Sequence, residues 1–141
     1  MIGYRDQLIR EAVRVRRFLE QEGQLLCDVL DDFPTGACGS ASDLLGTWLI
    51  DEYSLNPDYV HGERDGKSHG WLELNKLVVD ITSDQFSDGL GAVYCGELNA
   101  FFTSFESQER SKPQVAPILR PVYEAMRLSF SGQVANKTMK P

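Results

Sequence analysis

The chain has 141 residues, of which 42% are hydrophobic and 25% are charged, the composition of one ordinary soluble domain. Its longest apolar run, residues 92–95, is far shorter than the roughly 20 residues of a membrane-spanning helix. Fourteen basic against 21 acidic residues give a net charge of −7, which is expected to repel phosphate backbones. We therefore predict one domain over residues 1–141 that has no membrane span and binds no nucleic acid.

The N-terminal sequence and the cysteine count favour the cytoplasm as the default compartment. The stretch MIGYRDQLIREAVRVRR places charge in every turn and contains no apolar signal segment. Three cysteines, Cys27, Cys38 and Cys95, are too few and too unevenly spaced for a disulfide framework. Export by a route that needs no signal is the alternative.

A first helix, packed on the surface, is predicted over residues 2–20, where apolar residues recur at helical spacing. Gly23 interrupts that pattern, and another helical turn or two is expected before the break at residues 31–34. The arginines of the first helix could bind an acidic partner. Glu11 and Glu20 dilute their positive field, however, and favour a solvated helix face.

A second helix is predicted from Ala37, because apolar residues recur at helical spacing through Leu49 after the loop-like residues 34–36. Cys38 therefore opens a buried helix. A strand is expected over residues 58–64, followed by a turn into the next strand.

The C-terminal third is less regular. Residues 92–95 are typical of a short strand, whereas residues 98–105 fit a helix or a strand with a bend equally well. A late helix is predicted from about Pro117 to Ser129, with both of its prolines near the start. The polar tail, residues 131–141, is expected to fray.

Cys38 is the candidate nucleophile. The reactive form of cysteine is the thiolate, and the start of a helix favours negative charge through its unpaired N–H groups. The flanking glycines would let a substrate backbone approach the sulfur. Cys27, on the apparent apolar face of residues 26–29, and Cys95, at the end of an apolar run, are interpreted as packing residues.

The base and its orienting group come from a predicted hairpin, in which the strand-like runs HGWLEL and LVVDIT flank the turn Asn75-Lys76. This turn pairs Leu74 with Leu77 and puts His69 and Asp80 on one side of the sheet as diagonal neighbours, within hydrogen-bond reach. The opposite side is apolar and is expected to be buried, with Leu72, Leu74, Leu77, Val79 and Ile81. Each of the three polar residues alone favours a structural role, but their joint occurrence favours catalysis.

Metal and nucleotide sites are not expected. His61 could join Cys38 and His69 only through the fold, since the chain has neither a Cys-x-x-Cys nor a His-x3-His pair. The segments GACGS and GLGAV match neither a phosphate loop nor a dinucleotide fingerprint. No cofactor is therefore predicted.

The segments FPTGACGSASDLLGTWL and SHGWLELNKLVVDITSDQF resemble the nucleophile motif and the His and Asp strands of the papain-like and transglutaminase-like cysteine superfamily. The resemblance covers residues 33–86 and implies an α+β fold, with the nucleophile helix packed on an antiparallel sheet. It also implies a triad of Cys38, His69 and Asp80. Papain-type peptidases have a glutamine a few residues before the nucleophile that helps to bind the oxyanion. Residues 31–33 contain no glutamine, so no side chain is assigned to oxyanion binding.

The resemblance further implies acyl transfer through a thioester, as in a peptidase, amidase or glutamine deamidase acting on a protein or peptide. The alternatives are a transglutaminase or acyltransferase using the same triad, and a binding protein without turnover. Small members of the superfamily occur as bacterial effector or toxin domains, which implies a cognate inhibitor or immunity protein if this chain is one of them.

Overall fold

The computed structural model describes residues 3–131 and 139–141, in which N-terminal helices pack on one antiparallel five-stranded sheet. The helices are α1 (Tyr4–Phe18), α2 (Gln24–Leu26), α3 (Cys38–Tyr53), α4 (Ala100–Thr103) and α5 (Arg120–Phe130). The strands are β1 (Asp58–Arg64), β2 (Lys67–Leu74), β3 (Leu77–Asp80), β4 (Tyr94–Gly96) and β5 (Glu106–Ser111). The sheet order is β4-β3-β2-β1-β5, which confirms the predicted α+β class. No helix of the described residues is long and apolar enough to cross a membrane.

The first helix and the turns after it follow the predicted pattern. α1 buries the face that carries Leu8, Ala12 and Val15, then continues through a π-helical turn over Leu19–Gly23 into α2. A 3-10 turn over Asp28–Leu30 completes the predicted extra helical turns. The apolar face assigned to residues 26–29 is wrong, because only Cys27 points inward there while Leu26 and Val29 are exposed.

α3 begins at Cys38, as predicted, and lies across the inner face of the sheet. Its apolar residues are buried because they recur on the side that faces β2; they are Ala41, Leu44, Leu45, Trp48 and Leu49. The segment after β5 crosses α3 at Gly46, where any Cβ would collide with the Pro113 ring. The lack of a side chain at Gly46 therefore lets this segment pack closely on the middle of α3.

The hairpin that carries the candidate site has the predicted register. Asn75 and Lys76 both have positive φ, the backbone of a tight two-residue turn, and Leu74 faces Leu77 across it. The predicted strand 58–64 is also confirmed, and it joins β2 through Asp65 and Gly66, which likewise have positive φ. The apolar side of the hairpin packs into the main core, with Leu72, Leu74, Val79 and Ile81 buried and Leu77 partly buried against it.

The C-terminal third supplies the remaining elements. The predicted short strand is β4, and the predicted late helix is α5 preceded by a 3-10 turn over Pro117–Leu119. The undecided segment 98–105 forms the short helix α4, and β5 follows it as a wholly exposed edge strand that was not predicted. In the predicted polar tail, Met139 is buried in the main core rather than frayed, while residues 132–138 lie outside the described residues.

A second, aromatic cluster lies on the other side of the sheet from the main core. Its buried members are Val60, Trp71, Val78, Phe101, Phe102 and Phe105. Because α4 brings its phenylalanines against β1 and β2, this cluster surrounds the part of the sheet that carries His69.

Candidate active site

Cys38 occupies the first position of α3, where the backbone N–H groups of the first turn have no partner within the helix. Within the described part of the chain, no side chain caps this helix start and no acidic residue lies in its first turn. Cys38 is partly exposed, whereas Cys27 and Cys95 are buried, as predicted for packing cysteines. The sulfur of Cys38 is thus the one that solvent reaches at an uncapped helix start.

His69 and Asp80 lie together, as the hairpin register predicts. The distance from His69 Nε2 to a carboxylate oxygen of Asp80 is 2.6 Å, and both side chains are at most 1% exposed. The other carboxylate oxygen accepts a hydrogen bond of 2.9 Å from the backbone N–H of Thr82. Both oxygens are held, so the carboxylate fixes the orientation of the imidazole ring.

The tautomer of the neutral imidazole follows from this contact. An ionised carboxylate can only accept, so Nε2 must carry the hydrogen that it shares with Asp80. In this tautomer of the neutral ring, Nδ1 carries the lone pair and can accept a hydrogen bond. The same arrangement prepares a base in nucleophilic catalysis.

Cys38 and Asp80 also set the charge state of His69. Burial by itself would lower the pKa of the imidazole, but hydrogen bonds with Asp80 and with the Cys38 side chain, together with the charges of both groups, raise it to about 9. The imidazolium form of His69 is therefore favoured at neutral pH.

Aromatic side chains exclude water from the imidazole. The ring of Phe86 lies 4.9 Å from the His69 ring, Phe105 lies at 5.5 Å and Trp71 at 5.6 Å. The guanidinium of Arg64 covers Phe105 at 4.5 Å and is itself held by Asp88. Low polarity around the His69–Asp80 pair strengthens their mutual attraction.

Gln85 is a site residue that the sequence did not single out. Its Nε2 lies 3.3 Å from His69 Nδ1, and its Oε1 accepts a 3.4 Å hydrogen bond from the backbone N–H of Gly36. The two contacts agree on which way the amide points, because a reversed amide would face the Gly36 N–H with its own donors. The available signal was its place five residues after Asp80, inside the segment that resembles the Asp strand.

Arg16 anchors the turn that carries Gln85. Its guanidinium donates two 2.8 Å hydrogen bonds to the Asp84 carboxylate and a third, also of 2.8 Å, to the carbonyl of Ile81. Arg16 is only 6% exposed, so the interpretation of the arginines as a solvated face is wrong for this residue. The solvated face is real for Arg10 and Arg17, which are exposed.

Two clefts include residues that lie near the candidate site. One, of about 340 Å³, is lined by Gln85 and Phe86 and by the charged side chains Arg64, Asp65, Lys67 and Asp88. The other, of about 550 Å³, is lined by Tyr59 and Asp43 and by residues of the segment after β5. No group of three His, Cys, Asp or Glu side chains among the described residues could hold a metal ion.

Comparison of the chain with protein-family models, curated proteins and solved structures finds no significant match. The chemistry of the site is therefore read from its geometry. A thiol at a helix start, an imidazole that interacts with it and a carboxylate hydrogen-bonded to that imidazole are the groups that nucleophilic acyl transfer requires.

Proposed function

We propose that the chain is a cysteine-nucleophile enzyme that transfers an acyl group from an amide through a thioester. The 2.6 Å contact between His69 and Asp80 carries the proposal, because it leaves Nδ1 of the buried imidazole for Cys38. A partly exposed thiol that interacts with the same imidazole favours a catalytic role for the pair over a purely structural one.

In the first half of the reaction, the proton of the Cys38 thiol resides on His69 Nδ1, and the resulting thiolate attacks the carbonyl carbon. The tetrahedral intermediate places negative charge on the carbonyl oxygen, which the backbone N–H of Cys38 and the Nε2 of Gln85 are in position to stabilise. Once Nδ1 carries a proton, it can no longer accept from Gln85, so the amide becomes free to donate to the oxyanion.

In the second half, the imidazolium of His69 protonates the leaving nitrogen, and the carbon–nitrogen bond breaks to leave a thioester on Cys38. Water, activated by the now neutral Nδ1, attacks the thioester and releases the acid and the free thiol. An amine in place of water would instead form a new amide. Asp80 holds the ring orientation throughout and stabilises the imidazolium.

We further propose that the chain is related to the papain-like and transglutaminase-like superfamily. This is supported by the packing of α3, which carries the candidate nucleophile, on the sheet that carries His69 and Asp80. Hydrolysis of a protein or peptide amide, by a peptidase, amidase or glutamine deamidase, is the leading activity. Transfer to an amine is the alternative that uses the same residues.

A lysate incubation would distinguish these activities. Wild-type protein and a Cys38→Ser variant are incubated with the same lysate, and the proteins are compared by mass spectrometry. New termini indicate a peptidase, exchange of a glutamine amide nitrogen for oxygen indicates a deamidase, and joined chains indicate a transferase. Identical products from both variants would contradict the proposal and favour a binding protein.

A further inference from the structure

Tyr59 connects the larger of these two clefts with the start of α3. The cleft has a volume of about 550 Å³ and is lined by Tyr59 and by Asp43 of α3. The Tyr59 hydroxyl packs against Gly39 and Gly70, the residues that follow Cys38 and His69, and a Cβ at Gly70 would collide with it. A substrate group bound in this cleft would therefore continue directly from the reacting sulfur.

The charge of the cleft is carried by Asp43. This half-buried carboxylate accepts one hydrogen bond in the described structure, of 3.1 Å from the backbone N–H of Gln114. Burial raises the pKa of the Asp43 carboxyl, an effect that the Gln114 N–H opposes. A half-buried carboxylate with one donor is stabilised by a cation placed beside it.

The one basic residue of the cleft does not neutralise Asp43. Lys112 points its ammonium at the edge of the cleft, where it binds Asn56 at 2.7 Å and Asp58 at 2.8 Å. The Tyr59 hydroxyl makes no hydrogen bond within the described part of the chain, so it too is available to a ligand. The cleft thus offers a ligand the carboxylate of Asp43, which pairs with no cation among the described residues, and the hydroxyl of Tyr59.

We propose that this cleft binds a basic side chain of the substrate, lysine or arginine, with its cation at Asp43 and Tyr59. The inference rests on the proposed function, because it names the substrate class for that site. Val115, Ala116 and Pro117 form an apolar wall along which the methylene stem of such a side chain would lie.

The spacing along α3 fits a side chain better than an attacking amine. Asp43 follows Cys38 by five helical residues, a rise of about 7.5 Å, and it shares a helix face with Gly39, the residue against which the Tyr59 hydroxyl packs. An amine that attacks the thioester must approach the carbon bonded to sulfur, whereas a cation at Asp43 is about one long side chain away. The bound cation is therefore a recognition group and takes no part in the reaction.

Two alkylating reagents of equal length test this assignment: N-aminopentyl chloroacetamide, which carries an ammonium group, and N-hydroxypentyl chloroacetamide, which is neutral. Alkylation rates at Cys38 are measured by peptide mass spectrometry. Wild-type protein is expected to react about tenfold faster with the cationic reagent, and added salt should reduce the preference. The Asp43→Asn variant keeps the acceptor for the Gln114 N–H and should lose the preference.

An Asp6→Asn variant is the matched control, since it removes the same charge from an exposed position of α1 and should keep the preference. Equal rates with both reagents in wild type, or a preference that persists in Asp43→Asn, would overturn the assignment. The proposed function is tested separately by the rate with the neutral reagent, which should fall in His69→Gln. A failure of the cleft and a failure of the nucleophile are therefore distinguishable.

Discussion

Asp80 determines which nitrogen of His69 faces the nucleophile, and this single contact decides whether the imidazole can act as a base. The orientation of the Asp80 side chain is fixed, because the side chain is buried and its second oxygen accepts a hydrogen bond from the N–H of Thr82. The proposed mechanism therefore depends on which ring nitrogen of His69 carries the hydrogen, and not only on the presence of Cys38, His69 and Asp80.

Replacing Asp80 by Asn should preserve the fold and reduce turnover by about two to four powers of ten. The Asn oxygen can still accept from Thr82, but its amide nitrogen then faces His69 Nε2 and forces the proton onto Nδ1. Circular dichroism and turnover measurements, on the substrate found in the lysate experiment, check this. Full activity would remove Asp80 from the mechanism, and an unfolded variant would indicate a structural role.

The raised pKa of His69 makes the stability of the fold depend on pH. Because the folded-state pKa is about 9 and the ordinary value is 6.5, the imidazolium contributes stability that is complete below about pH 6.5 and is lost as pH rises through about 9. Urea unfolding of wild type and Asp80→Asn over about pH 6–10 should show a steeper decline for wild type across this window. Parallel curves for the two proteins would contradict the coupling.

The role of Gln85 can be separated from that of the base. Acylation of Cys38 by p-nitrophenyl acetate passes through an oxyanion, whereas alkylation by iodoacetamide does not. Gln85→Ala should slow acylation by about 10²–10³-fold and leave alkylation nearly unchanged. Gln24→Ala, an exposed position of α2, is the control, and equal effects on both reactions would show that Gln85 acts on the nucleophile instead.

At the element scale, alternation along the strands and tight turns made the hairpin predictable. One face of β2 and β3 is apolar, the other carries His69 and Asp80, and a two-residue turn fixes the pairing, so these two residues could be placed together from the sequence. β5 could not be predicted, because an exposed edge strand buries no side chain and its sequence ESQERS has no apolar alternation.

The partners of Arg16 and Gln85 were unpredictable for a related reason. Their contacts, Arg16 with Asp84 and Gln85 with His69, join segments distant in sequence through polar groups that leave no periodic signal. Met139 was assigned to a polar tail on composition, although a single apolar residue can dock on the core. Local pattern therefore predicted the contact between His69 and Asp80 but not the polar groups around it.

Moving the carboxylate by one position tests the hairpin register. The double variant Val79→Asp and Asp80→Val keeps the composition but points the carboxylate into the main core, where Val79 is 1% exposed. Burying an unpaired carboxylate costs several kcal/mol, so the variant should be inactive and markedly less stable in urea unfolding. Full activity would show that the register does not carry the chemistry.

At the scale of the whole molecule, the site forms where the start of α3 meets the sheet between the two cores. The main core packs α3 against the apolar face of β2 and β3, and the aromatic cluster packs around His69 on the opposite face. Neither core alone would bring Cys38 to the imidazole. The position of Cys38 relative to His69 therefore depends on the packing of both clusters.

The rate of iodoacetamide labelling at each cysteine of the native protein, at neutral pH, shows whether His69 activates Cys38 as a nucleophile. We expect a fast single modification at Cys38, ahead of Cys27 and Cys95, and a large loss of that rate in His69→Gln. Because burial alone slows the other two thiols, the comparison between wild type and His69→Gln is decisive. Slow labelling of Cys38 that is the same in both proteins would contradict the assignment of Cys38 as an activated nucleophile.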